Sequence, residues 1–434
     1  MLLIYTPTIT NRIRYIFDLF FKNILKTDFE ITSDKQEFLS HTGAKFSYAQ
    51  QPLADELFFK QSKLLIEKTI VNQQLNLVDT TVGEYKLKGF YGTVHAAFPF
   101  DVFASAFYLV SRYEEYVQKD VDRHNRFKAT DSAAFRFQFL KEPMIDFYAL
   151  ALRDLLLAKF PTEKIETTSF KMLNTIDVDL AYKYLHKKWW LNLGGFLRDF
   201  SQQNFAAMKE RIWVLLKWQP DPFQTFEYIE EQAAIFDVPF CFFWQLGDRQ
   251  GDYDKNTSHI VPEFRALIAK FADKSGIHLS YSSHAKTNGF SAEINRLSEI
   301  ISVDVNKNRF HYLKMKISED YRKLINAGIS EDYTVGYAAH EGFRASIARP
   351  FLWFDLGKDE ITNLTLVPFM FMDAPFRDSN LSAKEIKVRI EKIIVQTQKA
   401  NGILVALWHN NTFAEPRTDW KDIFEWFNQR VDNQ

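Results

Sequence analysis

Cysteine is almost absent from this chain: Cys241 stands alone in 434 residues, so no disulfide can form within it. It lies in the apolar run Val238-Pro239-Phe240-Cys241-Phe242-Phe243-Trp244, which reads as a buried structural thiol. An excess of one charge is missing too. Lys and Arg number 54 against 55 Asp and Glu, a formal net charge of −1. That balance gives no electrostatic argument for a nucleic-acid or polybasic membrane partner and favours a neutral or modestly polar ligand. No stretch approaches the ~20 apolar residues of a membrane span. The opening Met1-Leu2-Leu3-Ile4-Tyr5-Thr6-Pro7 is interrupted by Pro7, then by Arg12 and Arg14, too early for a signal-peptide core. Repeats and low-complexity runs are also lacking. These absences lead to the expectation of a soluble, cytoplasmic protein, and they leave its oligomeric state open.

Aromatic residues, by contrast, make up 16% of the chain, led by 42 Phe, which suits an aromatic core or sugar-stacking surfaces. The length favours two domains, and the polar joint Phe160-Pro161-Thr162-Glu163-Lys164 divides residues 1–165 from 166–434. In the first unit, Val102, Phe103, Phe107, Leu109 and Val110 recur at helical spacing, predicting an amphipathic helix within 98–116. A second helix is predicted over 143–159. Asp122-Arg123-His124-Asn125-Arg126-Phe127 reads as a loop with an internal ion pair. No catalytic constellation is visible in this unit, whose role is left unassigned.

The second unit alternates short apolar strands with helical stretches, the pattern of βαβ units and a parallel sheet or barrel. Strands are predicted at 170–176, 238–245, 277–280, 310–313, 334–337, 364–372 and 403–408. Helices are predicted between them, the last opening with the capping box Ser382-Ala383-Lys384-Glu385. The Trp- and Leu-rich stretch 187–218 reads as helices inserted after the first strand. The result is an α/β fold: a distorted, incomplete (β/α) barrel of about seven strands, preceded by a smaller mixed α/β domain.

In parallel α/β architectures reactive groups collect where strands end and loops begin. The first strand ends in Thr175-Ile176-Asp177-Val178-Asp179, and alternation puts both carboxylates on one side, although a strand-end Asp also serves as a helix N-cap. The third runs Gly276-Ile277-His278-Leu279-Ser280-Tyr281-Ser282-Ser283-His284; two His with carboxylate help form the donor set that zinc or a related divalent ion takes, although a lone His beside an apolar strand is also a common core residue. Arg309 and His311 share a face of the next strand, or are a surface Arg and a packed His. The last strand, Ile403 to Trp408, delivers His409 directly after six apolar residues, and histidine is the side chain suited to protonating a leaving group near neutrality.

With these residues in view, 170–426 resembles the polysaccharide deacetylase family of carbohydrate esterases. The family's Thr with paired Asp is matched by Thr175, Asp177 and Asp179, with Val178 between carboxylates that are normally adjacent. Its two metal-binding His are matched by His278 and, two residues later than usual, His284. Its Arg motif is matched by Arg309, followed here by His311-Tyr312-Leu313, and its Leu-any-His motif by Leu407-Trp408-His409. Tyr253-Asp254-Lys255-Asn256, Gly336-Tyr337, Gly342-Phe343-Arg344-Ala345 and Met372-Asp373 are similar to a divergent bacterial branch with an additional N-terminal domain.

The resemblance implies Asp177 as general base, His409 as general acid and Arg309 as their catalytic partner. It implies Asp179, His278 and His284 as ligands of one divalent ion, zinc before others, with His311 able to compensate. Tyr281, His311, Arg344 and Trp408 are then the expected contacts to a carbohydrate substrate. The implied reaction removes an acetyl group from an N-acetylated or O-acetylated carbohydrate. A small-molecule C–N amide hydrolase on the same barrel, or a non-catalytic carbohydrate-binding protein that has lost its metal, are the alternatives.

Overall fold

The computed structural model describes residues 1–248, 251–416 and 418–430. Near the N-terminus a parallel four-stranded sheet is built from β1 (Leu2–Tyr5), β2 (Phe29–Thr32), β3 (Lys45–Ala49) and β4 (Leu57–Lys60), in the order β2-β1-β3-β4. A separate antiparallel hairpin pairs β5 (Val78–Val82) with β6 (Tyr85–Gly89).

The helix Val102–Val110 is buried at all nine positions, capped at its start by Asp101 accepting from the Ala104 amide. The amphipathic helix expected over 98–116 is thus shorter and has no solvent face. On one side Phe103 meets Phe17, Phe20, Phe46 and Phe59 at ring separations of 4.9–6.0 Å. On the other, Phe107 packs at 5.1 Å against Phe354 of the C-terminal half. The helix stops where Arg112 takes a left-handed backbone, φ 55°. Much of the phenylalanine therefore serves one continuous core that spans both halves of the chain.

That core abuts a nine-stranded sheet made from β7 (Lys171–Val178), β8 (Phe240–Trp244), β9 (Ser275–Leu279), β10 (Lys307–Phe310), β11 (Glu331–Asp332), β12 (Phe351–Asp355), β13 (Glu360–Leu366), β14 (Phe371–Met372) and β15 (Ile403–His409). The strand order is β12-β13-β11-β10-β9-β8-β7-β15-β14, parallel except for the β12–β13 hairpin. The two edge strands are β12 and β14, so among the described residues no pairing closes a barrel. Nine strands replace the expected seven for two reasons. The stretch 364–372 divides into the end of β13 and all of β14, and the β12 segment gave no separate strand signal. The strand expected at 334–337 is instead the two-residue β11, displaced upstream to 331–332.

Helices Phe226–Phe236, Pro262–Lys270, Gly289–Ile301, Ile317–Asn326 and Ala383–Lys399 fill the crossovers. The capping box at Ser382 and Glu385 forms. The insertion after β7 folds as two helices, Trp189–Ser201 and Phe205–Leu215. Among the described residues no helix is long and apolar enough to cross a membrane.

Candidate metal centre

The central parallel strands finish side by side, and their register sets the site. His409 pairs with Asp177 across β15 and β7, and Arg309 pairs with His278 across β10 and β9. Two-residue alternation then carries Thr175, Asp177 and Asp179 along one side of the β7 end. His311 follows β10 in a 3₁₀ turn in which Tyr312 and Leu313 adopt left-handed backbone, φ 59° and 54°. That turn, rather than continued strand, aims the imidazole at the same point.

Asp179, His278 and His311 each bring one donor atom to within 4.8 Å of the others. His278 Nδ1 donates to the Arg309 carbonyl at 2.9 Å, which leaves a bare Nε2 lone pair in the neutral ring. His311 Nδ1 lies 2.6 Å from Gln245 Nε2 and 3.3 Å from the buried Asp254 carboxylate, and its Nε2 points inward. These two Nε2 atoms stand 3.2 and 3.6 Å from Asp179 Oδ1, a buried oxygen that accepts no hydrogen bond. A buried carboxylate oxygen without a hydrogen bond thus faces two imidazole nitrogens, an arrangement that a proton or a cation would satisfy. A carboxylate and two imidazoles with further room at the cleft suit a divalent ion of the zinc type. Burial alone would raise the Asp179 carboxyl, but His311, His278 and His409 outweigh it and hold the group well below the usual range.

Asp177 stands beside this cluster. Its Oδ1 accepts from Arg309 Nη1 at 2.8 Å, and its Oδ2 lies 3.6 Å from His278 Nε2. Arg309 is fully buried: Nε donates to the Tyr333 carbonyl at 2.9 Å, Nη2 to Thr175 Oγ1 at 2.8 Å, and its plane lies 4.6 Å from the Phe243 ring. On the other flank His409 Nδ1 meets Asp373 Oδ1 at 2.6 Å, while Asp373 Oδ2 accepts the His409 amide at 2.7 Å. Its Nε2 is thereby turned toward Asp179 Oδ2, 4.0 Å away. Burial would lower this imidazole, yet Asp373 and then Asp179 push it up to about 9.

Asp177, Asp179, His278, His311 and His409 floor a cleft of about 480 Å³, walled by Tyr312, Met372, Pro375 and Arg377, and by Arg123 and His124 from the N-terminal half. The loop carrying the last two does contain an internal ion pair, Arg126 to Asp122 at 2.7 Å. Its place on the cleft wall left no mark in the sequence. Asp254 and Asp373, which orient His311 and His409, were equally hidden as orienting groups because each lies tens of residues from its histidine.

Three expected site residues lie elsewhere. His284 falls in the 3₁₀ turn Tyr281–Ala285, where Nδ1 lies 3.3 Å from Asp320 and the ring packs on Phe290 and Phe310. The turn carries it to Asp320, away from Asp179 and His278, and His311 stands beside those two instead. Arg344 is buried between the halves of the chain, bidentate to Glu115 at 2.6 and 3.0 Å. Trp408 points to the opposite face of β15, fully buried, with Nε1 donating to Asn174 at 2.9 Å. Tyr281 joins Tyr253, Tyr312 and His124 in an aromatic group beside the cleft, with ring separations of 4.5–5.8 Å.

Residues 2–161 match a family described as being of unknown function, DUF7033. No curated protein matches the chain. Among solved structures, a Mycobacterium smegmatis protein assigned to the polysaccharide deacetylases is similar at 14% identity and a TM-score of 0.41, over 63% of this chain and 87% of that one. PuuE allantoinase is similar at 10% identity and 0.39, over 62% and 85%. The catalytic domain of a peptidoglycan N-acetylglucosamine deacetylase from Eubacterium rectale is similar at 13% and 0.29, over 61% and 86%. At such scores the reading of the site rests on its own residues.

Proposed function

We propose that the chain is a metal-dependent hydrolase that removes acetyl groups from an N-acetylated or O-acetylated carbohydrate. The observation that carries the reading is the convergence at Asp179 Oδ1, a buried acceptor without a hydrogen bond that faces the Nε2 atoms of His278 and His311. Asp179, His278 and His311 would hold one divalent ion, zinc before others. Such an ion, when bound, polarises a carbonyl and makes water acidic enough to attack near neutral pH.

The remaining roles belong to the chain. Arg309 fixes one oxygen of Asp177 and leaves Oδ2 to take a proton as general base. Asp373 accepts from His409 Nδ1 and favours the doubly protonated imidazolium, whose Nε2 proton can then go to the departing amine or alkoxide. The two groups flank the cluster from adjacent strands, so a substrate between them is handled from both sides.

The carbohydrate class comes from the sequence resemblance. Residues 166–434 are read as the hydrolase unit and 1–165 as an accessory unit of the divergent bacterial branch, whose Arg123 and His124 complete the cleft wall. Tyr281 and its aromatic neighbours offer ring faces of the kind on which a sugar stacks.

The test is acetate release from acetylated chito-oligosaccharides and acetylated xylan by zinc-loaded protein, compared with the Asp177→Asn variant. Release by the parent chain that falls ~10²–10⁴-fold in the variant supports the reading. Equal background release by both proteins removes it.

A further inference from the structure

The paired helices Trp189–Ser201 and Phe205–Leu215 are turned inside out. Their buried positions are Asn192 and Asp199 in the first helix and Arg211 and Val214 in the second. Arg211 bridges the two, donating to Asn192 Oδ1 at 3.1 Å and to Asp199 Oδ2 at 2.6 Å. The outward side carries the apolar residues instead. Trp189 and Trp218 are each 71% exposed, Phe205 is 62% exposed, and Leu197, Phe200 and Leu216 accompany them. A water-facing helix pair has the opposite arrangement.

Tryptophan is sorted in the same sense. Trp244, Trp353, Trp408 and Trp420 are fully buried, whereas Trp189, Trp190, Trp213 and Trp218 of this insertion are all exposed. Charge is sorted as well: 187–218 holds six basic and two acidic residues in a chain whose net charge is −1. The near-neutral whole-chain total conceals this local excess. Lys188 lies over the Trp190 ring at 5.0 Å and Lys209 over Trp213 at 4.2 Å, which puts ammonium groups beside the apolar side. Exposed Trp, Leu and Phe bordered by Lys and Arg is the composition of helices that lie in the headgroup region of a bilayer.

We infer that this helix pair docks the protein on the surface of an anionic phospholipid bilayer, with its Trp and Leu side chains inserted and its basic residues against the headgroups. The observations favour a bilayer over a second copy of the chain, because like-charged basic borders repel one another while an anionic surface attracts them. The roots of the insertion bring the bilayer near the cleft. Asn410, the residue after His409, donates to the carbonyls of Leu180 and Phe223, which bracket the insertion, at 3.1 and 3.0 Å. Docking itself is independent of any chemistry at Asp177 or His409.

The experiment is co-sedimentation of the full chain with phosphatidylcholine vesicles containing phosphatidylglycerol, with vesicles of phosphatidylcholine alone as reference. Tryptophan emission and light-scattering mass are read alongside. The expected result is pelleting with the anionic vesicles, weakened by salt, with a blue shift of the emission. Trp189→Glu with Trp218→Glu should lower partitioning roughly tenfold or more. Ile260→Glu, at a 73% exposed site outside the insertion, should leave it unchanged. Absence of vesicle binding, or binding indifferent to the paired Trp substitutions, overturns the inference. A dimer that those substitutions dissociate, formed without vesicle binding, overturns it in favour of self-association.

Discussion

Arg309 and Asp177, 132 residues apart in sequence, meet at 2.8 Å with the guanidinium wholly withdrawn from solvent. Its other donors are taken by Thr175 and the Tyr333 carbonyl, so the ion pair is oriented from three sides. Arg309→Met would leave a carboxylate buried without its partner, and the expected cost is about 3–5 kcal/mol in denaturant unfolding. Asp177→Asn, which keeps the shape, should remain folded while losing hydrolysis. A stable Arg309→Met protein would show that the pair contributes little to the fold.

Asp373 acts through His409. Its two oxygens hold both the ring and the backbone amide of that residue, at 2.6 and 2.7 Å. Asp373→Asn should lower kcat more than it raises KM and leave metal content unchanged, measured by steady-state kinetics and elemental analysis. Loss of the metal instead would place Asp373 in support of the ion rather than of a proton donor.

Much of this arrangement was legible where the signal was local. Asp177 and Asp179 alternate on a strand end, His278 sits in an apolar strand, and His409 closes another; the structure brings all four to one place. The choice between His284 and His311, which the sequence left open, depended on backbone that periodicity does not encode. The left-handed Tyr312 and Leu313 turn His311 inward, and the short turn after β9 carries His284 outward to Asp320. Trp408 shows the limit of proximity in sequence, since the residue next to His409 necessarily faces the other side of the strand. The buried helix Val102–Val110 was misjudged as amphipathic because both of its faces meet apolar neighbours, one of them more than two hundred residues away.

His284 and Asp320 form a stabilising pair with a defined pH signature. Burial would raise the Asp320 carboxyl, but His284, the Lys316 amide and Lys323 outweigh it and lower the group to about 2. The folded value lies below the ordinary 3.8, so the contribution is present above that pH and is lost as pH falls through about 2. Its size is on the order of 2 kcal/mol. Asp320→Asn should therefore unfold more easily than the parent at about pH 7, with the difference shrinking in acid. A difference constant across that range would refute the assignment.

Arg344 ties the two halves of the chain through Glu115, which also pairs with Arg112 at 2.8 Å. Arg344→Ala should cost about 3 kcal/mol in thermal or denaturant unfolding while leaving metal content as it is. An unchanged melting profile together with a raised KM would return Arg344 to the substrate contacts.

The most direct measurement is metal stoichiometry. Elemental analysis of the purified full chain, with and without zinc loading, should give one divalent ion per chain. His278→Ala and His311→Ala should each abolish that binding, whereas His284→Ala retains it. A parent protein that binds no divalent ion, or an ion kept by His311→Ala and lost with His284→Ala, would contradict the centre at its root.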